Sequence, residues 1–180
     1  MIFTLDKTAD SYTIAEPERI KTPRLVVFEE KVDFNIAALK SLLQRMVPSA
    51  SLDMIWPHVK THKSGWATQK LIQAGIRCFK ATPNEVPMLL NAGAKSIFVS
   101  YPLLPADAEW LAYLAKEHPD VEFFVQVGHQ QHVDYLLAAA KKSGVTWNVF
   151  IDINVGMDRT GITAESACDF FLSMPPTKAL

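Results

Sequence analysis

The spacing of apolar and polar positions changes several times along the chain, and each change predicts a new element. Residues 24–28 (RLVVF) are rich in Val and Leu, which predicts a short strand. From about Asp33 to Met46 the apolar residues recur at helical spacing, and Asp33 is the expected N-cap. The first 23 residues are polar and irregular, and we expect them to form an N-terminal arm that precedes a main domain of residues 24–180.

Beyond residue 50, apolar runs alternate with helical patterns. Strands are expected near residues 52–56, 76–81, 96–101, 121–127 and 146–153. Helices are expected near residues 65–74, 85–92, 106–116, 129–142 and 164–172. The strand segments are almost wholly apolar, which is typical of parallel strands that are buried on both faces.

This alternation predicts an α/β fold, either a doubly wound open sheet or a (β/α)8 barrel. A barrel typically needs about 250 residues, whereas this chain has 180 residues and supplies about five βα units from residue 52 onwards. The closing sequence SMPPTKAL has no helix cap or closing strand that favours a natural terminus. We therefore expect either a partial chain or a sheet edge that a partner covers.

Composition narrows the functional classes. The chain is 49% apolar, which is too high for a disordered protein. Its net charge of -1 provides no excess of positive charge for general binding to nucleic acid or to an anionic membrane. It has no apolar run of the roughly 18 residues that a membrane span needs, and its first residues do not resemble a signal peptide. Cys78 and Cys168 lie far apart and are expected to be free thiols, which favours a cytoplasmic protein.

The first candidate for chemistry is the segment PHVKTHK after the apolar run at residues 52–56. If the backbone stays extended, His58, Lys60 and His62 share one face. A lysine at the mouth of an apolar α/β core favours the neutral amine, which suits Schiff-base formation. A solvated basic loop is the simpler interpretation. His58 and His62 would lie about 13 Å apart on an extended strand, too far to bind one metal ion together.

The second candidate is the glycine-framed loop DINVGMDRTG, which would present Arg159 to an anionic oxygen. Pairing of Arg159 with Asp152 or Asp158 in a surface turn is equally compatible with the spacing. Tyr101 ends another strand and could reach a ligand, although a packing role is the simpler one. The sequence contains no dinucleotide-binding glycine motif, Walker loop, HExxH or GxSxG.

Three segments, in this order, resemble the N-terminal barrel of the D-threonine aldolase and D-serine dehydratase family. They are TPRLVVFEEKVDFNIAAL at residues 22–39, the long stretch from PHVKTHK to YPLL at residues 57–104, and IDINVGMDRTGI at residues 151–162. The resemblance implies an alanine racemase-type, fold-type III barrel that binds pyridoxal phosphate (PLP). It also implies that this chain holds only part of that barrel.

The resemblance assigns roles to individual residues. Lys60 matches the lysine that forms the Schiff base with PLP, and Lys63 matches a polar neighbour. Arg159 matches the arginine that approaches the ring hydroxyl of PLP, and His58 matches a histidine close to the cofactor. Trp56 departs from the Arg that is usual at its position, and Gly128 stands where relatives often carry Asp.

The implied activity is a PLP-dependent lyase acting on β-hydroxy D-amino acids, with Lys60 as the catalytic residue. An amino-acid racemase on the same barrel, a PLP-binding carrier protein and a degenerate barrel without cofactor stay open. A divalent metal, Zn or Mn, is expected only with a C-terminal domain outside these 180 residues, and no metal ligand is assigned within them. We expect a small-molecule D-amino acid substrate and a homodimer in the full-length form.

Overall fold

The computed structural model describes residues 16–176, so most of the expected N-terminal arm, residues 1–15, lies outside the described residues, as do residues 177–180. The chain divides into two compact units, with the boundary after Pro48. The expected boundary after residue 23 stays a prediction.

The first unit is dominated by one helix, α1 (Glu29–Met46). It begins five residues earlier than expected, with Phe28 rather than Asp33 at the N-cap. Glu29 and Glu30 place negative charge in the first turn, where it interacts favourably with the helix dipole. The predicted strand at residues 24–28 is wrong, because this segment pairs with no other strand among the described residues. Leu25 is 87% exposed, so an apolar run alone did not produce a strand.

The second unit alternates strands and helices as the sequence predicts. Its strands are β1 (Cys78–Ala81), β2 (Ser96–Pro102), β3 (Glu122–Val127) and β4 (Asn148–Ile151). Its helices are α2 (Gly65–Gln73), α3 (Val86–Ala92), α4 (Pro105–Glu117), α5 (Gln130–Ser143) and α6 (Ala167–Ser173). None of the helices within residues 16–176 is both long and apolar enough to cross a membrane.

The four strands form one parallel sheet in the order β1-β2-β3-β4. The apolar run at residues 52–56 was expected to be a further strand, but it forms a short 3₁₀ turn, Leu52–Met54. Only one bridge, from His58 to Lys80, extends the sheet beyond β1 among the described residues. The sheet therefore has four strands, rather than the five expected from residue 52 onwards, and all their carboxyl ends point to the same edge.

The main core lies on one face of this sheet. Alternate strand residues there, among them Phe79, Ile97 and Val125, are fully buried, as are Leu89 on α3 and Leu111 on α4. This packing of apolar side chains away from water is the main force that holds the unit together.

The opposite face of the sheet was expected to be equally buried, and that expectation is wrong for the described residues. Phe98, Phe124 and Phe150 lie on this face, and Phe150 is 43% exposed. Trp56 packs against all three rings, with centroid distances of 6.3, 5.2 and 5.9 Å. The aromatic face is thus covered in part by Trp56, and it leads up to the carboxyl edge of the sheet.

Candidate active site

A cleft of about 1280 Å³ lies at the carboxyl edge of the sheet, within the second unit. This is the edge where parallel α/β folds place their ligands. Side chains from all four strand ends or the loops that follow them line it. Its charged or titratable lining residues are His58, Lys60, Lys80, Tyr101, Asp152 and Arg159.

A tight turn positions Lys60. Residues Val59–Thr61 form a single 3₁₀ turn, so the expectation of an extended segment with alternating faces is wrong. Val59 is fully buried and anchors the turn, while Thr61 Oγ1 donates to the carbonyl of His58 at 3.2 Å. The backbone N–H of Lys60 donates to His58 Nδ1 at 3.3 Å. The turn leaves the side chain of Lys60 exposed at the cleft.

Lys63 has a different environment, although it is only three residues away. Its Nζ lies 3.6 Å from Oε1 of Glu85, a carboxylate that is only 6% exposed. Burial alone would raise the pKa of Glu85, but hydrogen bonds from the Thr82 backbone and hydroxyl and the charge of Lys63 together hold it below its usual value. Lys63 is therefore the counter-ion of a buried carboxylate, and it does not line the cleft.

The two histidines of this segment also separate. His58 lines the cleft, and burial together with the nearby charge of Lys60 lowers its pKa. His62 lies outside the cleft lining, and burial lowers its pKa as well. Because the segment turns, the separation assumed for an extended strand does not apply to the two rings. Within residues 16–176, however, no group of three or more His, Cys, Asp or Glu side chains could hold a metal ion.

Asn154 organises the loop that carries Arg159. Its Oδ1 accepts from the backbone N–H of Gly156 at 3.0 Å and of Asp158 at 3.1 Å, while its Nδ2 donates to Asp158 Oδ1 at 2.8 Å. Asp158 has a φ of 54° and Gly156 a φ of 107°, so the backbone turns sharply just before the arginine. The sequence analysis did not single out Asn154, although an Asn two residues before Gly is a known turn signal.

The loop closes through two backbone hydrogen bonds that involve Ile162. The N–H of Asn154 donates to the carbonyl of Ile162 at 2.7 Å, and the N–H of Ile162 donates to that of Asp152 at 2.9 Å. A Cβ at Gly128 would lie 3.0 Å from the Cα of Gly161, so the absence of a side chain at Gly128 lets the loop pack against the end of β3. This close approach gives a physical reason for the glycine at a position where the sequence resemblance suggested Asp.

Arg159 does not form the surface ion pair that was considered for it. Asp158 is bound by Asn154, and Asp152 Oδ2 accepts from Gln126 Nε2 at 3.3 Å. Among the described residues, Arg159 has no ion-pair partner, and neither does Lys60. Both side chains line the cleft, as does Tyr101, which is 52% exposed at its rim rather than packed in the core.

Lys80 is a cleft residue that the sequence analysis missed. It is the one polar residue of β1, and it lies between the buried Phe79 and Ala81 on the strand. The alternation of faces along a strand was a signal that could have placed it on the aromatic face. Its Nζ lies 5.9 Å from the ring centroid of Phe98.

Comparison with known proteins gives a clear result. Residues 34–175 match the family described as alanine racemase, N-terminal domain. The chain belongs to this family. The expected relationship to alanine racemase-type proteins is confirmed, and with it the fold class, a partial α/β barrel of TIM type.

Individual relatives of the alanine racemase N-terminal domain family agree with this result. A D-serine dehydratase from Saccharomyces cerevisiae is 26% identical over 163 residues, which cover 82% of this chain and 38% of the relative. The crystal structure of D-threonine aldolase from Filomicrobium marinum shares the fold with a TM-score of 0.70 at 22% identity, over 80% of this chain and 37% of that one.

Alanine racemase from Streptomyces lavendulae also shares the fold, with a TM-score of 0.59 at 20% identity, over 77% of this chain and 35% of that one. This chain therefore spans little more than a third of the length of these relatives. The cleft described above lies at the carboxyl edge of the strands that this chain contributes.

Proposed function

We propose that this chain carries the PLP-binding part of a lyase that acts on β-hydroxy D-amino acids, resembling D-threonine aldolase and D-serine dehydratase. The observation that carries the proposal is the shared cleft of Lys60 and Arg159, which have no ion-pair partner among the described residues. An amine and a guanidinium at the carboxyl edge of a parallel sheet form a site for an anionic aldehyde.

The side chains of the cleft fit PLP in their chemistry. The cofactor has an aldehyde and an acidic ring oxygen, and the cleft offers the amine of Lys60 and the guanidinium of Arg159. The volume of about 1280 Å³ exceeds the roughly 300–1,000 Å³ of typical ligand sites, so a cofactor and an amino acid can be accommodated together.

Each residue then has a defined task. Lys60 Nζ would hold the cofactor through its aldehyde and would accept the α-proton of the substrate. The Arg159 guanidinium would donate hydrogen bonds to the ring oxygen of the cofactor. His58 stays neutral near pH 7, since burial and Lys60 lower its pKa.

PLP supplies an electron sink for the bond that breaks. In an aldolase reaction the β-hydroxyl would lose its proton as the Cα–Cβ bond breaks, and Cα would take up a proton, so that glycine and an aldehyde would be released. In a dehydratase reaction Lys60 Nζ would accept the α-proton and the β-hydroxyl would take up a proton and leave as water, which would yield pyruvate and ammonia from D-serine after hydrolysis. Residues 16–176 offer no ligand set for a metal, so we assign no step to a metal held by them.

Turnover of D-amino acids by the PLP-loaded full-length protein tests the proposal. We expect an aldehyde from D-threonine or pyruvate from D-serine, and neither product from the L-enantiomers. Interconversion of D- and L-alanine without either product would instead establish a racemase. Bound PLP without turnover of any amino acid would establish a carrier protein, and both results contradict the lyase.

A further inference from the structure

Lys80 is the cation of the cleft for which the proposed chemistry has no task. Its Cα pairs with that of Phe98 in the β1–β2 register, and its Nζ stands 5.9 Å from the centre of that ring. The strand residues on either side, Phe79 and Ala81, point into the buried core. Their burial fixes which face Lys80 occupies, so its side chain stays on the cleft side of the sheet.

The cleft has an excess of positive charge. Lys60, Lys80 and Arg159 line it together with one carboxylate, Asp152, and none of the three cations has an ion-pair partner among the described residues. Gln126 already donates to that carboxylate. Unneutralised cations in a cleft with apolar walls attract anionic ligands. With Lys60 and Arg159 engaged by the cofactor, Lys80 is available for a second anion.

The backbone places Lys80 next to the segment that carries Lys60. The N–H of Lys80 donates to the carbonyl of Pro57 at 2.8 Å, and Lys80 and His58 form the parallel bridge at the edge of the sheet. The charge of Lys80 contributes to the lowered pKa of His58, as does the charge of Lys60. The charges of Lys60 and Lys80 therefore both act on the imidazole of His58. This places Lys80 close to the lysine that a substrate amine would replace.

We propose that Lys80 binds the α-carboxylate of the amino-acid substrate. This inference rests on the proposed function, because it assumes that an amino acid joins the cofactor at Lys60. An ammonium group on a flexible stem is suited to a carboxylate, and the neighbouring aromatic wall strengthens the charge-assisted hydrogen bond by excluding water. Lys80 thereby selects amino acids over simple amines.

The test compares ligands that differ only in the carboxylate. D-Alanine has no β-hydroxyl to lose, and ethylamine is the same molecule without the carboxylate. Each is titrated into the PLP-loaded full-length protein, and the absorbance of the bound cofactor reports binding. The variants are Lys80→Met, which keeps the length of the stem, Lys80→Arg, which keeps the charge, and Lys141→Met, an exposed control on α5.

We expect the unchanged protein to bind D-alanine roughly 10- to 100-fold more tightly than ethylamine, as a charge-assisted hydrogen bond predicts. Lys80→Met should lose that preference while its affinity for PLP and for ethylamine stays the same. Lys80→Arg should recover part of the preference, and Lys141→Met should behave as the unchanged protein does.

Three results would overturn the assignment: an unchanged preference in Lys80→Met, an equal loss for both ligands, or a loss of PLP affinity, which would make Lys80 a cofactor-phosphate ligand. The proposed function is tested separately, by measuring PLP binding before any amine is added. Failure of the unchanged protein to bind PLP at Lys60 would overturn both proposals. Bound PLP with no carboxylate preference would overturn the Lys80 proposal alone.

Discussion

At the scale of single residues, Lys60 and Lys63 show how a local turn decides which amine is available for chemistry. Lys63 neutralises the buried Glu85, whereas Lys60 faces the cleft. The sequence analysis selected Lys60 through a family resemblance, but its assumption of an extended strand was wrong. It missed Lys80 because a single lysine in an apolar run carries no motif, and only strand pairing brings it beside Phe98.

His62 gives a prediction about pH. Its Nδ1 accepts from the Ser64 N–H at 3.1 Å, while its buried Nε2 has no hydrogen-bond partner within the described residues. Burial lowers its pKa from the ordinary value of 6.5. As the pH falls below 6.5, the unfolded chain therefore binds more protons than the folded one, so stability that is fully present above pH 6.5 is progressively lost.

The change to make is His62→Asn, with urea unfolding measured between about pH 7.5 and pH 5. We expect the free energy of unfolding of the variant to fall less steeply with acidification than that of the unchanged protein. A residual slope should persist, because burial also lowers the pKa values of His58 and His132. Equal slopes in the two proteins would show that His62 does not resist protonation.

At the scale of elements, strand prediction succeeded where an apolar run had neighbours to pair with. Four runs became β1–β4, each hydrogen-bonded in a parallel ladder. The runs at residues 24–28 and 52–56 are also mostly apolar but find no ladder among the described residues. Composition predicts whether a segment can be buried, whereas pairing depends on the rest of the fold.

The contact between Gly128 and the arginine loop gives a prediction at this scale. In Gly128→Ala the new Cβ would lie 3.0 Å from the Cα of Gly161, which is too close for an ordinary contact. Because the neighbour is backbone and not a flexible side chain, the whole loop would have to shift by a few tenths of an ångström. We expect a loss of about 1–3 kcal/mol of stability, as for other overpacked sites. The affinity for PLP should weaken as well, since Arg159 moves with the loop.

Gly65→Ala is the matched control, because its Cβ would meet only Met88 Cγ, at an ordinary 3.9 Å. Urea unfolding and PLP titration are measured on both variants. The control should retain both stability and cofactor affinity. If Gly128→Ala also retained both, the loop would not depend on this close approach.

At the scale of the whole molecule, the second unit has two unlike faces on one sheet. One face is buried under helices, and the other carries Trp56 and three phenylalanines that lead to the cleft. The sequence predicted the α/β class and the parallel sheet, because periodicity reports which segments are apolar. It could not predict that the two faces differ, since a strand of continuous apolar residues looks the same from both sides.

The central claim concerns one amine at the carboxyl edge of this sheet. The measurement that tests it most directly is borohydride reduction of the PLP-loaded full-length protein, followed by mass spectrometric mapping of the modified lysine. One digest reports on Lys60 and also on two nearby lysines that could compete for the cofactor. Lys63 is close to Lys60 in sequence, and Lys80 pairs with His58 at the edge of the sheet.

We predict that the pyridoxyl group is found on Lys60, that Lys60→Ala abolishes the labelling, and that Lys63→Ala leaves it in place. Modification of Lys63 or Lys80 in the unchanged protein, or labelling that survives in Lys60→Ala, would contradict the account.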